Sequence, residues 1–195
     1  MITRNIIHVL SLTAFISMIS CSDHQHNLNM PNGNNRDTSY QMTTKELKSN
    51  QIPDSVFNMQ NLRSLSIQGM DCDYGNHSDC WMITEIPSGI KNLSALTSLS
   101  FTVNAIKKIP EELGLLKHLK SIDLSDNTGL ADFNAVTKLD SLESLYLSGC
   151  GISKMPDDIG KLKQLKTLGL QGNPIDSLEQ IRIKTALPGC NILFK

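Results

Sequence analysis

The same phrase returns along the chain at a fixed interval, and this repetition constrains the fold more than any other feature. Leu96, Leu119, Leu142 and Leu165 recur with a constant 23-residue spacing, and each opens a copy of the pattern LxxLxLxxNxL. The copies are LTSLSFTVNAI, LKSIDLSDNTGL, LESLYLSGCGI and LKTLGLQGNPI. A period of this length predicts a solenoid, in which each repeat forms one coil that buries its apolar side chains against neighbouring coils.

Apolar positions inside and between the phrases predict the two sides of each coil. Residues at offsets 3 and 5 from the opening leucine point inward along a short strand, because successive strand side chains face opposite ways. An apolar-proline step with two further apolar residues follows on the return path, where proline needs no ladder hydrogen bond. These steps are Ile52-Pro53, Ile86-Pro87, Ile109-Pro110 and Met155-Pro156, and the first leads into LRSLSI from Leu62.

This pattern resembles the leucine-rich-repeat family in its 23-residue form, over about residues 50–195. The resemblance implies an α/β fold: a short, curved, right-handed stack of coils with a parallel β-sheet on the concave face and short helical or irregular return segments on the convex face. We expect residues 40–61 to form an N-terminal cap and first partial repeat, and residues 62–195 to form the repeat domain. A capping strand is expected over 187–194, with Leu187, Cys190 and Ile192 at offsets 0, 3 and 5.

The polar position of the phrase has a structural role. Asn104, Asn127 and Asn173 are expected to point inward and to satisfy backbone groups where the chain leaves each strand, because an unpaired buried polar group costs about 1–3 kcal/mol. With LRSLSI counted as the first phrase, Cys150 takes this place in the fourth, as a small buried substitute that is familiar in the family, and Met70 takes it in the first. Met70 therefore indicates a distorted first coil.

Two irregularities interrupt the period. The interval from Leu62 to Leu96 is longer than the repeat, and its surplus is DCDYGNHSDCW, an inserted loop over residues 71–81 just after a strand. A smaller slip follows Asn127, where Thr128-Gly129 places Leu130 one residue late. Both irregularities should distort single coils without breaking the stack.

Residues 1–20 have the architecture of a signal peptide. A cation at Arg4 precedes an apolar run of about 14 residues, which is shorter than the roughly 20 residues of a bilayer-spanning helix. Ser20 directly before Cys21 resembles the bacterial lipobox, and this resemblance implies a lipoprotein whose lipid is attached at Cys21. The alternative is ordinary secretory cleavage near Ser20. Residues 21–39 are polar and predict a flexible tether, so we expect an exported protein anchored by lipid to a bacterial membrane, on its surface or periplasmic face.

The remaining cysteines fall into two environments. Cys72 and Cys80 lie in the inserted loop of an exported protein, where disulfides persist, and we predict that they pair. Cys150 and Cys190 occupy inward repeat positions and are expected to be buried, protonated thiols. The acidic residues of the loop lack the glycine and terminal glutamate of an EF-hand, so no metal site is predicted. Trp81 either docks this loop against the coil edge or projects toward a partner.

Outward strand positions form ladders of small polar side chains on the concave face. Asp123 and Tyr146 are the bulkier members, on adjacent coils. A shallow polar floor with one aromatic ring and nearby carboxylates predicts contact with a peptide strand or a glycan; the alternative is an ordinary solvated sheet face. The candidate ligand-binding residues are Ser100, Asp123, Ser125, Asp126, Tyr146 and Ser148.

Composition and missing motifs narrow the function. A formal net charge of −1 with a pI near 6.5 gives no global basic field for nucleic acid. No converging nucleophile, base and stabiliser can be identified, so we expect no enzyme activity and no cofactor. The chain is predicted to be a binding module for a protein or glycan ligand, with adhesion to another cell as one use. The alternative is a structural or accessory lipoprotein of an envelope complex.

Overall fold

The computed structural model describes residues 38–69 and 80–195, within the compact unit Arg36–Lys195. In these residues a parallel sheet of seven strands follows chain order, each strand bonded to the next. The strands are β1 Thr38–Thr43, β2 Leu62–Gln68, β3 Ser98–Ser100, β4 Ser121–Asp123, β5 Ser144–Tyr146, β6 Thr167–Gly169 and β7 Asn191–Leu193. The predicted α/β solenoid is thereby confirmed.

Short helical segments return the chain from one strand to the next. Two α-helices, α1 over Thr44–Leu47 and α2 over Ser177–Ala186, stand near the ends of the described chain. The others are 3-10 turns at Asp54–Asn58, Ser88–Asn92, Glu111–Leu115, Asn134–Lys138 and Ile159–Lys161. Pro53, Pro87 and Pro110 directly precede three of these turns with φ values of −59, −64 and −70°. Proline therefore fixes the backbone at the point where the return turn begins.

The core is built from the inward residues of the strands and from the return-side apolar positions. Leu65, Leu99, Ile122, Leu145 and Leu168 lie side by side on neighbouring strands, and none is more than 1% exposed. The serines and threonine beside them face outward, as the offsets predict. In β3, β4 and β5 this alternation places one buried residue between two half-buried outward residues.

The first strand begins earlier than the sequence predicts. β1 starts at Thr38, inside the segment expected to be a polar tether, and pairs with β2 from Thr38 to Thr43. Its inward residues are Tyr40 and Met42, which are buried. The N-terminal cap therefore supplies a full strand to the sheet, and two apolar residues were too short a pattern to reveal it.

The last strand corrects the predicted register of the capping segment. Ile192 pairs with Leu168, which occupies offset 3 of its own phrase, so Ile192 occupies offset 3 instead of the expected offset 5. The step from Leu168 to Ile192 is one residue longer than the regular repeat, because the helix α2 replaces a shorter return turn. Cys190 consequently precedes the strand and is a half-exposed free thiol, not the buried one that was expected.

Helix α2 is held to the preceding coil by a charged network. Arg182 donates to both carboxylate oxygens of Glu179, at 2.7 Å each, and also to the carbonyl oxygen of Met155 at 2.7 Å. The backbone N–H of Met155 donates to Glu179 at 2.8 Å. The hydrogen bond from Arg182 is the main cause that lowers the pKa of Glu179 below its ordinary value.

Replacing Arg182 with methionine should destabilise the domain by about 2 kcal/mol at pH 7, because Glu179 keeps its burial and loses its cation. Since the folded-state pKa of Glu179 is lowered, its contribution is present above the unfolded-state pKa and is lost as pH falls through the folded-state value. Urea unfolding from pH 7 to pH 3 should therefore show a shallower acid loss for the variant than for the parent protein. Lys161→Met is the control, since Lys161 forms an ion pair at the surface with Asp158. Equal losses of stability in both variants would refute the role of the network.

Candidate functional site

The sheet register brings the candidate residues of the concave face together. Ser100, Asp123 and Tyr146 are direct neighbours on β3, β4 and β5, and Gly169 on β6 continues the same row. Neighbouring strands lie about 4.8 Å apart, so these side chains share one continuous surface. The side chains of Ser100, Asp123 and Tyr146 are each half-buried. The predicted juxtaposition of a carboxylate and an aromatic ring is therefore present.

Gly169 makes room for the ring of Tyr146. A Cβ added at Gly169 would lie 2.8 Å from Cδ1 of Tyr146, which is too close for a real contact. The ring thus occupies the space that a side chain at position 169 would fill, and Gly169 is buried beneath it. Sequence reasoning missed this role, although the signal was available as a glycine next to an aromatic residue in one ladder row.

Polar neighbours of Asp123 and Tyr146 are partly held by internal hydrogen bonds. Oδ1 of Asp123 accepts from the backbone N–H of Ser125 at 3.0 Å. Oγ of Ser148 donates to Oε1 of Gln171 at 2.9 Å. Gln171 was not among the predicted site residues, but it orients Ser148 and lies beside the tyrosine ring. The second carboxylate oxygen of Asp123, the hydroxyl group of Tyr146 and the amide N–H groups of Gln171 can each form a hydrogen bond with a polar ligand.

Asp126 has a different place from the other candidates. It lies beyond the end of β4, is exposed, and has a positive φ of 60°. The equivalent position in other coils is Val103, Gly149 and Gly172, with φ values of 55, 67 and 70°. This is a repeated left-handed turn, which aspartate tolerates better than most residues. The conformation of the turn accounts for Asp126 without a ligand.

A row of asparagines joins each coil to the coil before it. The side-chain amide of Asn127 donates to the carbonyl oxygens of Phe101 and Leu124 at 2.7 and 2.8 Å, and its oxygen accepts from the N–H of Ile106 at 3.0 Å. Asn104 and Asn173 make the same three kinds of bond. Every asparagine of the row therefore satisfies backbone groups on two coils.

Cys150 takes the place of an asparagine in this row and makes the donating hydrogen bonds only. Its thiol donates to the carbonyl oxygen of Leu124 at 3.1 Å, the same relative position that Asn127 reaches on Phe101. Burial raises the pKa of Cys150 to about 11, so the thiol keeps its proton at neutral pH. It is a free cysteine and is fully buried.

Comparison with known proteins agrees with this geometry. A family described as leucine-rich repeats (2 copies) matches residues 140–182. A leucine-rich-repeat protein of Leptospira interrogans is 32% identical over 74% of this chain and 34% of its own, with a TM-score of 0.64. This is a leucine-rich-repeat fold. No curated protein matches the chain.

Two further solved structures share the leucine-rich-repeat fold at lower identity. The leucine-rich-repeat domain of the type III effector XopL is 19% identical over 80% of this chain and 51% of its own, with a TM-score of 0.59. An internalin of Listeria monocytogenes, InlF, is 24% identical over 73% of this chain and 44% of its own, with a TM-score of 0.55. The chain thus spans between a third and about half of the length of these solved chains.

The inserted loop of the leucine-rich-repeat domain is described only from Cys80 onward. Cys72 lies outside the described residues, so its pairing with Cys80 stays a prediction. Trp81 is half-buried. The N–H of Met82 donates to Oδ1 of Asn50 at 3.0 Å, and the N–H of Ile83 donates to Oδ1 of Asn104 at 2.8 Å. These bonds return the chain to the repeat register at Ile83, which takes the role that Ile106 has in the next coil.

Several predicted features lie outside the part of the chain that the structure describes. Cys21, the predicted signal peptide and most of the predicted tether lie outside residues 38–69 and 80–195. In those ranges no group of three or more histidine, cysteine or acidic side chains is arranged to hold a metal ion. The helices found there are all too short or too polar to cross a membrane.

Proposed function

We propose that this chain is a non-catalytic binding module of the bacterial cell envelope, a lipoprotein whose leucine-rich-repeat domain contacts a protein or glycan, including on another cell. The observation that carries the proposal is the pairing of Asp123 with Tyr146 on the concave face. Stacked repeats create extended surfaces of this kind, and such proteins use them for binding. An aromatic ring beside a carboxylate offers both an apolar contact and a charged hydrogen bond.

The side chains of the concave face favour binding over catalysis. Its serines recur in equivalent positions on β2, β3, β4 and β5, as expected for a repeated solvent-facing row. His118 is exposed in a turn before β4, on the edge of the coil and away from the row of Asp123. A nucleophile, a base and an oxyanion donor do not converge in the described residues, as acyl or phosphoryl transfer would require.

Replacing both Asp123 and Tyr146 with alanine should weaken ligand capture by about tenfold or more, as expected for central contact residues. The measurement is cross-linking capture from envelope extracts and glycan arrays with the full chain as bait, followed by titration of whatever is captured. Asp54→Ala, on the return side, is the matched control and should leave capture unchanged. Equal capture by parent and double variant, both correctly folded, would exclude the concave face.

The membrane anchor is tested separately. Cys21→Ser should abolish incorporation of labelled fatty acid in growing cells and should move the protein from the membrane fraction to the soluble fraction. Unchanged labelling would reject lipidation at this residue. Secretory cleavage near Ser20 would instead be revealed by an unmodified N-terminus in mass spectrometry.

A second candidate function has one observation in its favour. Leu178 and Ile181 on α2 are 77% and 61% exposed, and their spacing places them on the same helix face. Exposed apolar side chains on one helix face favour stable assembly, as in an accessory lipoprotein of an envelope complex. Leu178→Gln with Ile181→Gln would then abolish capture, while the Asp123 and Tyr146 variant would retain it.

A further inference from the structure

One flank of the coil stack carries half of the cations of the described residues. Its residues come from the last turn of each return segment, from the turn that leads into the next strand and, for Arg63, from the start of β2. Residues 38–69 and 80–195 contain 16 lysines and arginines, and eight of them lie there. Arg63 and Lys91 belong to the first coils. The other six are Lys117, Lys120, Lys138, Lys161, Lys163 and Lys166. We name this surface the basic flank.

Acidic side chains neutralise only part of the basic flank. Asp140 and Glu143 lie on it, and Glu111 and Asp158 reach it through ion pairs with Lys138 and Lys161. The seven lysines of the flank less these four acids leave a charge of about +3, whereas the described residues outside the flank hold eight cations and ten acids and sum to about −2. The domain is therefore polarised across its width although the whole chain is nearly neutral.

Ion pairs hold the lysines at the centre of the basic flank in position. Glu143 lies between two lysines, with Oε1 3.1 Å from Nζ of Lys120 and Oε2 2.5 Å from Nζ of Lys166. Lys117 reaches Asp140 only at 3.9 Å. Lys163 has no ion pair among the described residues. One carboxylate thus holds two cations side by side, and removing its charge would expose both.

An exposed apolar side chain is set among these cations. Leu115 ends the return turn before β4 and is 61% exposed. Its neighbour Gly114 packs against Lys138 of the next coil, and Lys117 follows two residues later. An apolar group surrounded by lysines can enter the headgroup region while the cations meet phosphates.

From these features we infer that the basic flank docks on the surface of an anionic phospholipid membrane. Seven of its eight cations are lysines, which act as hydrated point charges and suit diffuse attraction to a charged plane. Protein interfaces are instead enriched in arginine and aromatic residues and depleted in lysine. The flank contains no aromatic residue at the positions named above. Docking does not depend on the lipid anchor, since the flank acts through its own charges.

The test is partition of the full chain onto vesicles at 150 mM salt. All proteins carry Cys21→Ser, so that no lipid is attached there, and vesicles contain either phosphatidylcholine alone or phosphatidylcholine with phosphatidylglycerol. Neutral vesicles report the contribution of the apolar N-terminal run, which all variants share. Lys117→Gln with Lys163→Gln should lower the preference for anionic vesicles about 25-fold, at roughly fivefold per charge. Glu143→Gln should raise it about fivefold.

The matched control is Lys107→Gln with Lys108→Gln, which removes the same charge from residues after β3 instead of before β4. It should change the preference by less than about twofold if only charges near the membrane count. An equal loss in both double variants would mean that net charge alone acts, and would overturn the inference. So would equal binding to both vesicle types, or binding of soluble polyphosphate without any binding to anionic vesicles.

Discussion

Asn127→Leu is expected to lower the free energy of unfolding by about 3 kcal/mol, the largest effect of any single polar substitution in the domain. Asn127 is fully buried, and three backbone groups depend on it. Leucine has the same branching at Cγ but cannot bond the N–H of Ile106 or the carbonyl oxygens of Phe101 and Leu124. Water cannot replace the lost partners, because the site lies between two packed coils.

Urea unfolding at pH 7 measures this effect, with two controls that differ in burial. Asn173 makes the same bonds but is half-exposed, so Asn173→Leu should cost about half as much, since water can reach the stranded groups. Asn134→Leu, at an exposed position, should change stability by less than about 0.5 kcal/mol. A loss below about 1 kcal/mol for Asn127→Leu would show that the asparagine row does not tie the coils together.

The middle of the solenoid could be predicted from the sequence because its information is periodic. Each strand there has only three residues, yet the 23-residue spacing aligns Leu99, Ile122 and Leu145 as neighbours. The ends escaped prediction because they lack that redundancy. β1 has no preceding phrase to align with, and α2 is longer than the return turns before it, so the register at β7 moved by two residues.

The candidate site shows the same division. Adjacent placement of Asp123 and Tyr146 followed from the period alone, since both occupy offset 4 of their phrases. Gly169 and Gln171 were missed because their roles depend on where the tyrosine ring leans, which the period does not specify. The charge of Asp126 made it a candidate for ligand binding, whereas its left-handed backbone conformation explains its position in the repeat.

The inserted residue in the third phrase and the cysteine at the asparagine position of the fourth phrase have one physical origin. In the regular coils the N–H two residues after the asparagine position donates to the asparagine of the next coil, as Ile106 does to Asn127. The inserted residue at Thr128-Gly129 changes this in the coil of Asn127. There the N–H of Gly129, two residues after Asn127, donates to the backbone carbonyl oxygen of Cys150 at 3.1 Å, and the N–H of Leu130 donates to the carbonyl oxygen of Asn127 at 3.1 Å. Both N–H groups are thus bonded to backbone oxygens and neither needs a side-chain acceptor at position 150, so a thiol that only donates is sufficient at Cys150.

Cys150→Asn should consequently destabilise the domain by about 2 kcal/mol, although it restores the residue that the repeat pattern prefers. The amide could still donate to the carbonyl oxygen of Leu124, as the thiol does. Its oxygen, however, would be buried without a donor, because the N–H groups of Gly129 and Leu130 are already bonded to backbone carbonyl oxygens. Replacement by the residue of the consensus pattern is usually neutral or stabilising, so a loss identifies the missing donor.

Deleting Gly129 tests the cause directly. Deletion restores the regular spacing between Asn127 and Leu130 and returns the N–H of Leu130 to the direction that Ile106 has. The deletion alone should destabilise the domain, because the N–H of Leu130 then faces only the thiol of Cys150, which is a poor acceptor. In the deleted chain Cys150→Asn should be stabilising, which gives a coupling energy of at least about 1 kcal/mol in a double-mutant cycle by urea unfolding. If the effects of the two changes are additive, the inserted residue and Cys150 are independent of each other, and this explanation of Cys150 fails.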